Sequence, residues 1–413
     1  MNSPSQWHPW FHRFIRNLYF SRLQVTGLGH VPAKGPVLAL CLHRNGAVDA
    51  FLYRMVLPQL TYMLKAGLRQ HLMGRMFFDG IEVTRKDDGG KSDNSEAIDA
   101  CLDLIAKGGL LGIFPEGTSG LGPRHLPFKS GAARIALRHH DAGRPLTILP
   151  MGIHYQCAWS FRSRAEMVVG PPIALDLPDS MHKPEARLVE VKKRFTAALE
   201  AVGVNFPDAA TQERAQQLAY IATLGTSTGY FAALKALERQ VPLEAAAAWE
   251  SLEAKARGRR ILRHQGVPLF PLRWPWAYVM AVLITAPVVL AGGLVNALPV
   301  TVAWWAGKKF PDAPNVIALW RILTGVPLLI LWGAAWIVIG ITAGVWWLPA
   351  LYLVLTILAL AGWYRLKKLT VVAWNGVFHA DLRPAALQVH HAVLVSCKPP
   401  CHEPPILVSA PAA

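Results

Sequence analysis

Two long uncharged apolar runs constrain this chain more than any other feature. The first, Trp274 to Gly307, is about 34 residues, roughly 51 Å as a continuous helix against a ~30 Å hydrocarbon core. Pro287, Gly292, Gly293, Asn296 and Pro299 interrupt it, which predicts a hairpin or re-entrant pair rather than one tilted span. The second, Ile322 to Tyr364, is about 43 residues, enough for two spans of ~20 residues each. Its turn is expected near Gly340–Gly344, with Trp346 and Trp347 at the interface. Flanking these runs are Arg259, Arg260, Arg263 and Arg273, then Lys308, Lys309 and Arg321, then Arg365, Lys367 and Lys368. If each run enters and leaves on one side, all these cations share a face, which the positive-inside bias makes cytoplasmic. The alternative, an unusually apolar soluble core, fits run lengths of this kind poorly.

Hydrophobic residues make up 53% of the chain and charged residues 16%, too apolar for an ordinary soluble protein of this length. Lys and Arg number 42 against 26 Asp and Glu, a formal charge of +16. That excess suits anionic partners, phosphate headgroups or nucleic acid. No nucleic-acid-reading motif accompanies the basic residues, so lipid is the expected partner and nucleic acid is not. Cysteines stand unpatterned at 41, 101, 157, 397 and 401, which argues for a reducing compartment without a disulfide framework.

Residues 1–23 lack the pattern of a signal peptide. Trp7, Trp10, Phe11, Phe14, Ile15 and Tyr19 alternate there with His, Arg and Asn, which suits a helix lying on a membrane surface or an ordinary docking helix. Residues 24–206 read as α/β. Runs such as PVLALCL, GLLGIF, PLTILPMGI and EMVVG alternate with SEAIDACLDLIAKGG and GAARIALRHH. A mostly parallel sheet flanked by helices follows from that alternation. Residues 207–272 read as a connector of two or three Ala-rich charged helices, and 273–366 as the transmembrane or re-entrant helical region. Residues 367–413 read as a flexible tail. His390, His391, Cys397, Cys401 and His402 within it could bind a metal but match no standard zinc spacing, so no metal is expected.

Candidate chemistry begins in CLHRNGAVDAF, Cys41 to Phe51. His43 ends an apolar strand, where working groups of open α/β sheets sit. Asp49, six residues on, lies roughly 240° round an ideal helix from it, so the two meet only if the chain turns between them. Asn45-Gly46 is a good turn dipeptide. The Asp could then hold one ring nitrogen while the other takes a proton from a hydroxyl. A strand-end His near a helix-capping Asp is the commoner case, so the pair alone is weak evidence. Three further segments add to it. Arg85, in FFDGIEVTRKDD, follows a short strand and is either a phosphate ligand or a surface Arg. IFPEGTSG places Glu116, Gly117, Thr118 and Ser119 on a turn where N–H groups and hydroxyls could grip phosphate oxygens. Lys129, in PFKSGAARIAL, stands at a helix N-terminus whose dipole also favours an anion. GGKS at Gly89–Ser92 fails as a phosphate loop because Arg85 stands where the first Gly is required, and no G-x-S-x-G elbow occurs.

In this order, His-x5-Asp, a strand ending in Arg, FPEGT, Lys-x-Gly and ILPMGI (Ile148 to Ile153) resemble the PlsC-type glycerophospholipid acyltransferases. The resemblance covers about residues 24–175. It implies His43 as catalytic base supported by Asp49, Arg85 and Glu116-Gly117 at the acceptor's phosphate, and Pro150 lining the acyl site. Five residues between His and Asp, and Ser119 after FPEGT, resemble a subgroup that includes glycerol-3-phosphate as well as lysophosphatidate acyltransferases. The apolar GGLVNALPVTVAWWAGKKFPD also resembles the C-terminal region of that subgroup. Arg44 stands where the subgroup often has Pro and Gly120 where it often has His, which leaves the acceptor less defined than the reaction.

The expectation is therefore an integral-membrane O-acyltransferase with its catalytic domain on the cytoplasmic face. It would move a fatty acyl group from acyl-CoA or acyl-carrier protein, as co-substrate and without a cofactor, to lysophosphatidate, giving phosphatidate, with glycerol 3-phosphate or dihydroxyacetone phosphate as the alternative acceptor. Glu116 is expected to act by orienting a hydroxyl or Arg85 rather than by touching an anion. A non-catalytic membrane lipid-binding protein is the rival from another class. A transporter would need polar groups inside the apolar runs, where only Asn296 and a few Thr occur.

Overall fold

The computed structural model describes residues 7–83, 95–178, 180–272, 274–396 and 406–407. The buried run VLALC sits at the centre of the sheet that organises the N-terminal half. The strands are β1 (Arg22–Thr26), β2 (Val37–Cys41), β3 (Thr61–Lys65), β4 (Gly80–Val83), β5 (Leu110–Ile113), β6 (Thr147–Tyr155), β7 (Arg164–Val169) and β8 (Ile406–Leu407). They lie in the order β4-β3-β5-β2-β6-β7-β1-β8. Only the β6–β7 and β1–β8 pairs are antiparallel, so the sheet is mostly parallel, as the alternation of strands and helices predicts. β2 is buried along its whole length, which explains why its sequence is continuously apolar rather than alternating.

Helices cover both faces. On one face α1 (His8–Tyr19), α2 (Val48–Tyr53) and α3 (Leu72–Phe77) pack against the odd-numbered residues of β2 and β6, Ala39, Cys41, Met151 and Ile153 among them. On the other, α4 (Ser95–Ala106), α5 (Gly131–Asp141) and α6 (Pro184–Val202) cover Leu38, Leu40 and Ile148. The period of two in a strand makes this division. α1 is amphipathic, with Trp10 and Phe14 exposed and Ile15 and Tyr19 buried. Its buried face also carries two histidines. His12 Nε2 donates to the Phe77 carbonyl at 2.9 Å while Nδ1 lies 3.2 Å from the Arg54 guanidinium. Arg54 in turn pairs with Asp79 at 2.6 Å.

The connector holds three helices, α7 (Ala209–Ala222), α8 (Tyr230–Arg239) and α9 (Leu243–Ala256). After it come α10 (Pro275–Val295), α11 (Ala297–Lys309), α12 (Ile317–Thr342) and α13 (Trp347–Phe378), then α14 (Arg383–Ser396). The expectation of a flexible tail from residue 367 is corrected for 367–396. α13 runs on to Phe378, and α14 buries Val389 and Val393 against α7 and α9 in one core with Leu218, Trp249 and Leu252. The i, i+4 spacing of those two valines gives the helix its apolar edge. Cys397, Cys401 and His402 lie outside the described residues.

α10, α12 with the turn before it, and α13 are each long and apolar enough to cross a membrane, and the chain is membrane-associated through them. α10 packs antiparallel on α13, where a methyl added at Gly292 would meet Leu355 O at 2.3 Å. α11 packs antiparallel on α12, with Gly307 against the Arg321 stem. Small residues at such contacts let helix backbones approach closely. The break between α10 and α11 falls at Asn296. Its Nδ2 donates to Gly292 O and Thr356 Oγ1, and its Oδ1 accepts from Tyr352 Oη, at 2.8–2.9 Å. Trp332 Nε1 caps the Val295 carbonyl at 2.7 Å. α12 runs on from Trp332 to Thr342, roughly 15 Å, so the α10–α11 pair turns back short of the α12–α13 turn, in the manner of a re-entrant hairpin. That second turn carries Gly344 at φ +69. Lys308, Lys309, Arg321, Arg365 and Lys367 gather at the end of these helices that meets the sheet domain, where Arg321 and Lys367 bond Trp159 O and Phe161 O.

Candidate active site

The chain leaves β2 at the centre of the sheet, and His43 is its second residue beyond the strand. Gly46 takes φ +55, the left-handed turn that Asn45-Gly46 predicts, and α2 starts two residues later. This turn brings His43 Nδ1 to 3.0 Å from Asp49 Oδ2. Asp49 is fully buried and the His43 side chain is 13% exposed. The same Oδ2 accepts the backbone N–H groups of Arg44 and Asn45 at 2.6 and 2.8 Å, and Oδ1 accepts the Tyr155 hydroxyl at 2.6 Å. Four donors therefore fix one carboxylate, which is how a buried negative charge is made tolerable. Burial, and then the Asp49 charge, push the Tyr155 phenol well above its usual range, so it remains a donor.

The imidazole is fixed on its other side too. Phe114 stacks on it at 4.1 Å between ring centroids. Glu116 Oε2 accepts the His43 backbone N–H at 2.5 Å, and Gly120 N–H donates to His43 O at 3.1 Å. His43 Nε2 has no partner among the described residues. It is the one ring nitrogen left to meet a substrate hydroxyl.

The FPEGTSG segment crosses this loop. Gly117 has φ +74, and a methyl added there would lie 2.6 Å from Lys129 Nζ, so the lysine side chain lies against bare backbone. Lys129 is exposed, with no carboxylate partner among the described residues, and its N–H bonds Pro115 O at 2.8 Å. Thr118 is exposed beside it. An ammonium without a counter-ion beside a left-handed glycine turn has the character of an anion cradle. Asn315, just before α12, bonds both the carbonyl and the hydroxyl of Ser119 at 3.0 and 2.6 Å, and so ties the membrane helices to the loop.

The structure thus brings together His43, Asp49, Glu116, Gly117, Thr118 and Lys129. Arg85 lies outside the described residues. Glu116 is buried, with its second oxygen 3.4 Å from His125 Nδ1. It holds the His43 backbone rather than facing the anion cradle. Pro150 is buried in β6 opposite Leu40, with its ring against Gly170 and Val202 on the α6 face. Asp49 and Tyr155 lie across the sheet from it. Sequence reasoning missed Tyr155, His125 and Asn315. Strand parity carried a signal for Tyr155, since β2 and β6 pair Cys41 with Met151 and odd positions of both point to the His43 side. Nothing in the sequence singles out Asn315.

Residues 22–154 match the family model described as Acyltransferase. By that match the segment is an Acyltransferase domain. The chain is 37% identical over 123 residues to glycerol-3-phosphate O-acyltransferase 2 of Saccharomyces cerevisiae, covering 29% of this chain and 17% of the relative. It is 33% identical over 127 residues to glycerol-3-phosphate O-acyltransferase 1 of the same yeast, covering 29% and 16%. The matched stretch is thus about a sixth of either relative's length. The solved 1-acyl-sn-glycerophosphate acyltransferase PlsC of Thermotoga maritima covers 49% of this chain at 15% identity and a TM-score of 0.33, too low to transfer a fold or an activity.

Proposed function

We propose that this protein is a membrane-bound acyltransferase that moves a fatty acyl group from a thioester to a hydroxyl of a glycerol-phosphate acceptor. The observation that carries the reading is the His43 Nδ1–Asp49 Oδ2 bond of 3.0 Å with Nε2 left free. In the proposed mechanism Nε2 takes the proton of the acceptor hydroxyl as its oxygen attacks the thioester carbonyl. Asp49 keeps Nδ1 protonated and stabilises the imidazolium that forms. Collapse of the tetrahedral intermediate breaks the C–S bond, and the imidazolium returns its proton to the departing thiolate. Gly117 and Lys129 hold the acceptor's phosphate at one end of the loop, and the family resemblance gives Arg85 the same role. Glu116 acts indirectly, by fixing the backbone on which the base sits.

Glycerol 3-phosphate is the proposed acceptor. Support comes from the two yeast relatives, both named as glycerol-3-phosphate O-acyltransferases, and it moves the preference away from lysophosphatidate, the acceptor expected first from sequence. Lysophosphatidate remains the second reading, because α12 begins beside Ser119 and would bring a lipid's apolar chain to the cradle. The donor is acyl-CoA or acyl-carrier protein. The apolar helices hold the site at the bilayer, and the cations at their domain-side end favour a cytoplasmic catalytic domain under the positive-inside bias. Purified protein in detergent, given a labelled acyl donor and each acceptor in turn, tests this. Labelled lysophosphatidate from glycerol 3-phosphate is the expected product. Labelled phosphatidate alone would reverse the acceptor order, and no transfer to either would reject the reading.

A further inference from the structure

The geometry points to a site for the pantetheine arm of the acyl donor, set apart from the Gly117–Lys129 cradle; the assignment rests on the acyltransferase reading above. A cavity of about 500 Å³ opens between the carboxyl end of β6, α7 and Pro314 just before α12. Neither Gly117 nor Lys129 lines it, yet three of its wall residues bear on the dyad. Arg44 follows His43 in the chain and gives its N–H to Asp49. Tyr155 gives its hydroxyl to the same carboxylate. His125 stands beside Glu116, which holds the His43 N–H. An occupant of this cavity therefore lies directly behind the catalytic loop.

The lining defines what would fit. Its formal charges are Arg44 and Glu213, which offset each other, and burial holds His154 neutral with its pKa lowered to about 3. A phosphate is better served by the cradle. Around the wall stand side-chain amides with capacity to spare. Gln212 spends its side-chain N–H on Leu121 O and Gly122 O, and its oxygen has no partner among the described residues. The Gln156 side chain accepts from Tyr364, and its amide N–H has no partner among the described residues. The Gln216 side chain has no hydrogen-bond partner among the described residues. Between them lie apolar surfaces of Leu121, Ile153, Val204 and Leu234. Paired donors and acceptors on an apolar wall suit an uncharged chain that carries amides. The donor supplies such a chain in its pantetheine arm, whose amides and methyl-bearing carbon lie between the charged head and the thioester. The arm is common to coenzyme A and carrier protein, so the site does not itself choose between them. Its thioester end would leave the cavity past Arg44 toward His43.

The test is steady-state kinetics of the full chain in detergent with acyl-CoA and acyl-carrier protein as alternative donors. Gln216→Trp, which fills the cavity from a half-exposed position, should raise KM for each donor the wild type uses about tenfold, acting on KM rather than kcat and leaving acceptor KM unchanged. Glu213→Trp, on the exposed rim, should act in the same direction and covers the case in which the first variant fails to fold. A rise in acceptor KM instead, or no change in any KM, would overturn the assignment. So would a rise for only one donor when the wild type uses both. If the wild type transfers to no acceptor, the reading of the activity fails by itself. Titration calorimetry with pantetheine then decides the cavity: binding to wild type but not to Gln216→Trp supports it, and no binding to wild type overturns it.

Discussion

Asp49 accepts four hydrogen bonds, and only one comes from His43. The carboxylate is therefore held in place by the turn and by Tyr155 before any substrate arrives, and the imidazole is oriented against a fixed charge. Asp49→Asn should lower kcat by roughly 10²–10⁴-fold, in the range of a lost general base. Tyr155→Phe removes a single charge-assisted bond and should lower kcat by about tenfold with acceptor KM unchanged; steady-state kinetics of the two variants separates these outcomes. At the cradle, Gly117→Ala combines a strained left-handed φ with displacement of Lys129. Its expected signature is a raised acceptor KM with donor KM unchanged, read in the same assay. Most of this residue-level picture was legible in the sequence. The turn at Asn45-Gly46 and the FPEGT loop follow from spacing and residue type, and the role of His43 as base from the family resemblance. What escaped depends on tertiary registry. Glu116 reaches back to a backbone N–H 73 positions away, and Asn315 reaches Ser119 across 196. No local pattern encodes either contact.

Among the elements, α1 is attached by polar groups as well as by its apolar stripe. His12 sits between the Phe77 carbonyl and the Arg54 guanidinium, and burial lowers its pKa to about 3. His264, bonded to Tyr220, is lowered to about 3 in the same way. A histidine depressed on folding binds its proton more readily in the unfolded chain, so ν_U exceeds ν_N between about pH 6.5 and pH 3. Stability is then full above that window and falls as the pH drops through it. Thermal unfolding followed across pH 7 to 4 should show a declining midpoint, and His12→Gln should flatten part of the decline. The strands and helices with strong patterns, β2, β5, β6, β7, α4 and α5, were readable as runs. β1 and β3 were not, because LQVT and TYMLK are short and half polar. α14 was obscured by Pro384 and the paired histidines that surround its valines.

At the scale of the whole molecule, two helical hairpins of unequal depth stand on one end of an α/β domain. Asn296 makes this possible, since its side chain ties the break in the first hairpin to Gly292, Tyr352 and Thr356 with three internal bonds, as a polar group in an apolar setting requires. The arrangement predicts a topology. With the natural cysteines replaced by serine, Gly344→Cys in the α12–α13 turn should be labelled by an impermeant maleimide only from the side opposite the catalytic domain. A cysteine at Lys309 should be labelled only from the same side. Labelling of both from one side would refute the spanning arrangement of α12 and α13.

The central claim is that the free nitrogen of His43, aligned by Asp49, is the base of an acyl transfer. The most direct measurement is the initial rate of labelled acyl incorporation into glycerol phosphate by His43→Ala beside the wild type, both shown by far-ultraviolet circular dichroism to be folded. The account predicts a loss of roughly 10²–10⁴-fold in kcat with the fold intact. A folded His43→Ala protein that transfers acyl groups at the wild-type rate would contradict it.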